Sequence, residues 1–252
     1  MGAISLLLPH IFTFGWTVDV HPKAKCRGMM SEFAAARHNM VESQVRTSGV
    51  TNPRVIAAMQ AVPREAFVPE ARQTLAYLGE DLRVKDAEDA TNARYLMEPR
   101  TLAKLAELAD IQPGDLVLDV GPATGYSTAV FARLADTVVA LESDPDLAER
   151  AGKTLQELGA DNAVVTEGVL AEGNAKQGPF DVIVLNGAVP EVPQALLDQL
   201  KEGGRLVAVI RDGGAGKARL YSKVHGAVGQ RDGFDAGTRF LPGFQKVEAF
   251  SF

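Results

Sequence analysis

Cysteine is almost absent from this chain of 252 residues, since Cys26 is the only one. A single cysteine excludes an internal disulfide framework and favours the reducing cytoplasm. Histidine is also scarce, and His10, His21, His38 and His225 are scattered without the short spacing that metal ligands need. The composition therefore predicts a cytoplasmic protein without a metal site.

An excess of basic charge is also missing, because 26 Lys and Arg face 32 Asp and Glu, for a formal net charge of -6. Nucleic-acid-binding surfaces carry clustered Lys and Arg that neutralise phosphates. We therefore expect no nucleic-acid partner. The hydrophobic content of 46% is sufficient for one sizeable core with a small accessory region beside it.

The sequence has no typical signal peptide or membrane anchor. The apolar stretch at residues 4–20 is interrupted by Pro9 and His10 and is short for a membrane-spanning helix. No basic residue precedes it and no small-residue cleavage pattern follows it, as a secretory signal would require. We interpret residues 1–29 as a leader that is disordered or not part of the native chain, and we expect no stable membrane association.

Two other interpretations of residues 1–29 stay open: a peripheral amphipathic segment and a targeting signal. The native chain would start at Met29 or Met30 if the leader is not part of it. The basic residues Lys23, Lys25 and Arg27 follow the apolar stretch, however, and this combination also occurs in peripheral amphipathic segments and in targeting signals.

Residues 30–98 carry helical patterns. Apolar residues recur at helical spacing over Ser31–Gly49, which predicts an amphipathic helix that ends at the glycine. Asn52 is a typical N-cap and Pro53 a typical first-turn residue, so they predict a second helix, which stops before Pro63. The region is expected to lie on the substrate side of the protein.

The accessory region and the core are expected to meet near Pro99. A third helix is predicted near Arg64. From Gly79 to Asn92 the sequence is acidic and has few large apolar residues, which predicts a solvated connection. Residues 99–252 then form the second predicted region.

After residue 99 the pattern alternates between strands and helices, which predicts an α/β fold with a Rossmann-like, doubly wound, mostly parallel sheet. The predicted strands are Leu116–Val120, Thr137–Leu141, Ala163–Thr166, Asp181–Leu185 and Arg205–Ile210, and the predicted helices are Thr124–Leu134, Pro145–Leu158 and Val192–Leu200. The turn Gly213–Gly216 is expected to lead into a terminal pair of strands, the last near Phe244–Phe250.

The strongest local motif runs from Val117 to Tyr126, where an apolar strand breaks into a glycine turn before a helix. Gly121 permits a tight turn against a ligand, and Gly125 permits a close approach of the helix start. The spacing lacks the third glycine of dinucleotide-binding motifs, which favours a ligand without phosphate. Asp119 would then accept a hydrogen bond from a cationic amine.

Glu142 ends the next strand, where a carboxylate can accept both hydroxyls of a ribose. Alternatively it is a solvated strand-end residue. Gly168 and Val169 follow the third strand, where an adenine edge would lie, although Gly168 alone would also suit an ordinary loop. Asn186 follows the fourth strand, at the edge where transfer would occur.

These motifs together resemble the class I methyltransferases, and further segments narrow the resemblance to the protein-L-isoaspartate O-methyltransferases. The similar segments are Met40–Gln44, Ala58–Pro69, Ile111–Asp115, the glycine turn with Tyr126, Gly178–Asp181, Val192–Leu197 and Thr238–Pro242. The resemblance covers residues 31–252. It implies methyl transfer from S-adenosylmethionine to isoaspartyl residues of damaged proteins or peptides, as the first step of their repair. The cofactor-binding residues that we predict are Asp119, Gly121, Thr124, Gly125, Tyr126, Glu142, Gly168 and Val169.

The sequence departs from the family pattern beside the acceptor. A Thr-Ile-Ser-x-Pro stretch is usual there, and Met97 stands in the serine position. Arg94, Tyr95 and Asn186 are the remaining acceptor-side candidates. Two other functions stay open for this reason: a methyltransferase of the same scaffold with another acceptor, and a non-catalytic protein that binds S-adenosylmethionine.

Overall fold

The computed structural model describes residues 22–87 and 93–244, with side chains from residue 31 onward. The helices in this part of the chain are α1 (Pro22–Met40), α2 (Pro53–Ala61), α3 (Pro99–Ala109), α4 (Tyr126–Ala132), α5 (Pro145–Glu157) and α6 (Gln194–Asp198). The strands are β1 (Leu82–Lys85), β2 (Arg94–Leu96), β3 (Leu116–Val120), β4 (Thr137–Glu142), β5 (Ala163–Glu167), β6 (Phe180–Val189), β7 (Leu200–Ile210), β8 (Lys217–Val224) and β9 (Ala227–Asp235).

The main sheet has the strand order β5-β4-β3-β6-β7-β8-β9. The strands from β5 to β7 in that order run parallel, and β8 and β9 continue the sheet in antiparallel pairing. The chain passes from β3 to β4 on one side and returns to β6 on the other. The predicted doubly wound, mostly parallel sheet is therefore confirmed.

Both faces of the central strands of the sheet are buried. Val117 and Val182 enter one hydrophobic cluster, whereas Leu118 and Ile183 enter a second one. This alternation between neighbouring residues places the clusters on opposite faces. The first cluster also contains residues of α2 to α5, such as Met59, so α2 packs on the same face as α3, α4 and α5, whereas α6 contributes Leu196 to the second cluster.

The amino-terminal region follows its local sequence signals. Helix α1 continues through a π-helical and a 3-10 turn to Ser48 and ends at Gly49, whose φ of 90° suits glycine. The side chain of Asn52 accepts a hydrogen bond from the Arg54 backbone N–H at 2.9 Å and so caps α2. The third predicted helix is the 3-10 turn Arg64–Phe67.

The prediction of a solvated connection over Gly79–Asn92 is wrong where the structure describes this segment. Its first half contains β1, which pairs antiparallel with β2. Leu82 and Val84 are buried while Arg83 is exposed, an alternation typical of a half-buried strand. The pattern is only four residues long and lies among charged residues, which hides it in the sequence.

The carboxyl-terminal predictions need correction at the sheet edge. The terminal pair of strands consists of β8 and β9, and β9 was not predicted because it is an exposed edge strand with glycines and charged residues. The strand predicted at Phe244–Phe250 falls on residue 244, which is not in a strand, and otherwise on residues outside the described ranges. The helix predicted at Val192–Leu200 is the shorter α6, and β6 extends beyond Asn186.

The leader and the boundary near Pro99 stay predictions. Residues 1–21 lie outside the described ranges, and α1 begins at Pro22, within the proposed leader. Helix α3 begins at Pro99. Within residues 22–87 and 93–244, no helix combines the length and apolar character needed to cross a membrane.

Candidate functional site

The carboxyl end of β3 lies where the strand order of the sheet reverses, which is the usual ligand position in open α/β sheets. The chain leaves β3 through Gly121, with φ of 73°, and enters α4 from Gly125, with φ of 94°. Both values fall in the left-handed region that favours glycine. The structure therefore places both predicted glycines in the turn between β3 and α4.

Asp119 lies next to this turn and is fully buried. One carboxylate oxygen accepts hydrogen bonds from Ser127 Oγ at 2.8 Å and Thr128 Oγ1 at 2.7 Å, and the other accepts one from Asn186 Nδ2. Burial raises the pKa of Asp119 to about 7, although the hydroxyl donors act against this shift. All three side-chain donors are neutral, so a cationic group beside Asp119 would favour its ionised form.

Glu142 ends β4 and is also fully buried. Arg94 forms a bidentate ion pair with it, in which Nη1 donates to Oε1 and Nη2 donates to Oε2 at 2.8 Å. The backbone N–H groups of Ala123, Ser143 and Asp144 donate to the same carboxylate at 2.9, 2.7 and 3.1 Å. A carboxylate has about four acceptor positions, so donors of the chain itself fill the hydrogen-bonding capacity of the Glu142 carboxylate.

Gly168 and Val169 follow β5, on the other side of β4. The backbone N–H of Gly168 donates to the Glu142 carbonyl at 3.0 Å, which fixes this loop beside the end of β4. Val169 is 54% exposed, whereas Leu170 is buried with its side chain beside Gly121. The apolar side chain of this loop that approaches the glycine turn is therefore that of Leu170.

The side chains of Thr124 and Tyr126 contact the amino-terminal region. Thr124 Oγ1 donates to the Phe67 carbonyl at 2.6 Å, and the rings of Tyr126 and Phe67 meet edge to face at 5.7 Å. The Arg64 guanidinium lies 4.6 Å from the centre of the Tyr126 ring. These two predicted site residues thus attach the amino-terminal region to the core, and their side chains are engaged there.

All four acceptor-side candidates line one small cavity beside the carboxyl end of β6. Arg94, Tyr95, Met97 and Asn186 contribute to it, together with residues 238–241 of the carboxyl-terminal segment. The cavity volume is about 10 Å³. One water molecule needs about this much space, so an acceptor side chain can enter only when the side chains that line the cavity move.

Sequence reasoning missed several residues of this site. Leu241 covers the glycine turn, because a Cβ built on Gly121 would lie 2.6 Å from Leu241 Cδ2. Ser127 and Thr128, which hold Asp119, were also missed. A signal for Leu241 was present, since Thr238–Pro242 is one of the segments that carry the family resemblance. The hydroxyls on α4 lie one turn after the glycines and have no distinctive motif.

Within the described residues, neither a cluster of metal-binding side chains nor the groove beside Arg37 offers an alternative site for this chemistry. Across the described ranges, no group of three or more His, Cys, Asp or Glu side chains is arranged to hold a metal ion. A groove of about 590 Å³ lined by Arg37, Arg133 and Leu158 lies at the amino ends of the strands. Ligands of open α/β sheets bind at the opposite, carboxyl ends.

Comparisons with known proteins agree with this architecture. Residues 35–247 match the family model of protein-L-isoaspartate(D-aspartate) O-methyltransferase. A protein-L-isoaspartate O-methyltransferase of Syntrophobacter fumaroxidans is 38% identical over 183 residues, which are 73% of this chain and 83% of that protein. Another, from Anaeromyxobacter sp., is 36% identical over 223 residues, which are 88% of this chain and 87% of that protein.

Solved structures show the same fold. A protein-L-isoaspartate O-methyltransferase matches with a TM-score of 0.72 and 25% identity, over 82% of this chain and 67% of that one. A candidate enzyme of the same kind from Plasmodium falciparum, solved in complex with S-adenosyl-L-homocysteine, matches with a TM-score of 0.69 and 22% identity, over 82% and 98%. With its family model matched over residues 35–247, this chain belongs to the protein-L-isoaspartate(D-aspartate) O-methyltransferase family.

Proposed function

We propose that this chain transfers a methyl group from S-adenosylmethionine to the free carboxylate of L-isoaspartyl residues in damaged proteins. The observation that carries the proposal is the pair of buried carboxylates, Asp119 and Glu142, at the ends of adjacent strands on either side of the glycine turn. Such a pair suits a ligand that has a cationic amine and a ribose. We also propose a cytoplasmic location, on the single cysteine alone.

The chemistry of these residues fits the cofactor. Glu142 would accept the ribose hydroxyls, Asp119 would face the amine, and Gly121 would allow the backbone to approach. Gly168 and the apolar Val169–Leu170 pair would border the adenine. At Thr124, Gly125 and Tyr126, we assign the contact with the cofactor to the backbone of the turn. The side chains of Thr124 and Tyr126 contact the amino-terminal region instead.

The bound cofactor would supply a methyl group on a sulfonium, and a carboxylate oxygen would attack it in line. A carboxylate acceptor is already ionised at neutral pH and needs no general base. The chain's residues would therefore act by orienting the acceptor and excluding water. Arg94, Tyr95 and Asn186, which line the acceptor-side cavity, are our candidates for orientation.

A second candidate function is methylation of a different acceptor. Met97 is buried in the acceptor-side cavity and presents a thioether where the family resemblance implies a hydroxyl. This substitution removes a hydrogen-bond donor and adds apolar bulk. A non-catalytic binding protein is the third candidate.

The experiment that separates these functions uses labelled S-adenosylmethionine with an isoaspartyl peptide and its ordinary aspartyl counterpart. Label in the isoaspartyl peptide alone supports the proposal. Label in neither peptide, together with cofactor binding in calorimetry, contradicts it in favour of another acceptor or of a non-catalytic role.

The position of the cofactor is tested separately through Glu142. Glu142→Ala is expected to weaken binding of S-adenosylhomocysteine, because the charged acceptor for the ribose is lost. Glu167 is a matched control, since it is an exposed glutamate that ends the adjacent strand in register with Glu142. Equal affinity of Glu142→Ala and Glu167→Ala would remove Glu142 from the site.

A further inference from the structure

Arg94 occupies the carboxylate that we assign to the cofactor ribose. Six groups donate to Glu142: two N–H groups of Arg94, three backbone N–H groups and the hydroxyl of Ser143 at 3.4 Å. The backbone donors belong to the glycine turn and to the loop after β4, so they cannot leave without rebuilding both. The guanidinium of Arg94, which also donates to the Gly121 carbonyl at 3.3 Å, is the exchangeable part of this set, because a side chain can move without rebuilding the backbone.

Leu241 occupies the space over the glycine turn in the same way. A Cβ on Gly121 would lie 2.6 Å from Leu241 Cδ2, and a Cβ on Gly187 would lie 2.7 Å from Leu241 Cγ. The Leu241 backbone N–H donates to the Ala188 carbonyl at 2.9 Å, which holds this segment against β6. The space that the two glycines leave is therefore filled by the chain's own side chain.

Arg94 also reaches the acceptor side of the site. It lines the small cavity together with Met97 and Asn186. Among the described residues that line this cavity, the second cation is Arg239, whose guanidinium lies 5.3 Å from the centre of the Tyr95 ring. An isoaspartyl acceptor is a carboxylate, and a guanidinium binds carboxylates in a bidentate manner. Once released from Glu142, Arg94 would be an unpaired cation next to the place where the acceptor must bind.

We infer that Arg94 serves two carboxylates in turn: it pairs with Glu142 until the cofactor ribose displaces it, and it then binds the carboxylate of the isoaspartyl acceptor. This inference rests on the proposed function and makes Arg94 a specificity-determining residue of that reaction. It has two consequences. Arg94 competes with the cofactor, and cofactor binding increases the affinity for the acceptor.

Binding measurements test both consequences without relying on turnover. In calorimetry, the isoaspartyl peptide should bind the natural protein roughly tenfold more tightly with saturating S-adenosylhomocysteine than without it. This factor lies within the usual range for coupling between two binding sites. Linkage requires the peptide to tighten binding of S-adenosylhomocysteine by the same factor. In Arg94→Gln, S-adenosylhomocysteine alone should bind roughly fivefold more tightly or better, and the coupling to the peptide should disappear.

Two further variants complete the test. Arg231→Gln removes an exposed arginine from the edge strand β9, four strands from β3 in the main sheet, and should leave both affinities unchanged. Arg94→Lys keeps the charge but not the bidentate geometry, so it should bind S-adenosylhomocysteine more tightly than the natural protein and retain part of the coupling. If Arg94→Gln does not fold, Arg94→Lys alone tests both consequences.

The results that would contradict the role of Arg94 differ from those that would contradict methyl transfer. Unchanged or weaker binding of S-adenosylhomocysteine to both Arg94 variants would overturn the competition. Coupling that persists in Arg94→Gln, or peptide binding to the natural protein that is independent of S-adenosylhomocysteine, would overturn the role in acceptor binding. If coupling depends on Arg94 but no label reaches the peptide, the inference holds for binding and the proposed methylation fails.

Discussion

The ends of β4 and β3 can be compared directly, because each carries a fully buried carboxylate beside the same glycine turn. Glu142 on β4 faces the guanidinium of Arg94, while Asp119 on β3 faces two hydroxyls and an amide. The first charge has a counter-charge, and the second is held by neutral donors only. Burial accordingly raises the pKa of Asp119 to about 7.

This difference shows how similar burial can have different consequences. A buried ion pair is costly to break, because removal of one partner leaves the other charge unpaired. A buried carboxyl with neutral donors can instead take up a proton. The β4 end is therefore expected to lose stability when one partner of its ion pair is removed by mutation, and the β3 end to respond to pH.

The largest expected effect is the loss of the ion pair in Glu142→Ala. Arg94 is only 4% exposed and would lose its counter-charge, and the three backbone N–H groups that donate to Glu142 would lose their acceptor. We expect the free energy of unfolding without cofactor to fall by roughly 3–5 kcal/mol, measured by urea denaturation at pH 7. The exposed Glu167→Ala control should stay within about 0.5 kcal/mol of the natural protein. A similar small loss in the free energy of unfolding of both variants would contradict the special role of the ion pair at the end of β4.

The next effect concerns pH at Asp119. The native pKa of about 7 lies above the ordinary value of 3.8, so between these values the folded state holds a proton that the unfolded state has lost. The contribution of Asp119 to the free energy of unfolding is fully present below pH 3.8, falls as the pH rises, and is lost above about pH 7. The slope between them approaches about 1.4 kcal/mol per pH unit.

Asp119→Asn should remove this slope. Its amide can keep the hydroxyl donors, provided that Asn186 rotates its own amide to present the oxygen. Urea denaturation from pH 4.5 to 8 of both proteins isolates the contribution of Asp119 as their difference, and the variant should gain relative stability with increasing pH. A constant difference over this range would show that the carboxyl is not protonated in the native state.

A smaller effect is expected at Met97, whose cavity is also lined by Arg94 and Asn186, the partners of Glu142 and Asp119. Met97→Ser restores a hydroxyl donor beside the acceptor. One neutral hydrogen bond contributes about 0.5–1.5 kcal/mol, so we expect isoaspartyl methylation to be weak but detectable in the natural protein and to rise roughly twofold to twelvefold in the variant.

Met97→Ala is the control for this gain, since it opens the same space without the hydroxyl. Turnover should be measured well below the melting temperature, because both substitutions remove buried apolar volume. An equal gain in Met97→Ala and Met97→Ser would attribute the effect to space and not to hydrogen bonding.

The smallest effect is expected from removal of residues 1–29. Both carboxylates and their donors lie far along the chain from this segment. A chain that starts at Met30 should therefore retain the melting temperature and the pH dependence of stability of the full chain. A much lower melting temperature would mean that the removed segment packs on the core and that the proposed leader boundary is wrong.

Much of the fold could be predicted because its signals are local. The five parallel strands are continuous apolar runs, and Asn52 and Gly49 mark helix ends through their own backbone and side-chain preferences. The small strand β1 and the edge strand β9 were not predicted, because they are short or polar and depend on their pairing partners. Pairing between distant segments leaves little trace in local periodicity.

The sequence by itself determined the type of site, since Asp119, Gly121 and Glu142 follow from strand ends and spacing. Only the tertiary structure decided what these residues contact. It placed Arg94, from a different sheet, on Glu142, it placed Leu241 over the glycine turn, and it turned Thr124 and Tyr126 toward the amino-terminal region. The physical reason is that a motif specifies local backbone geometry and chemistry, whereas the charge and space around a buried group depend on residues that are distant in the chain and meet only after folding.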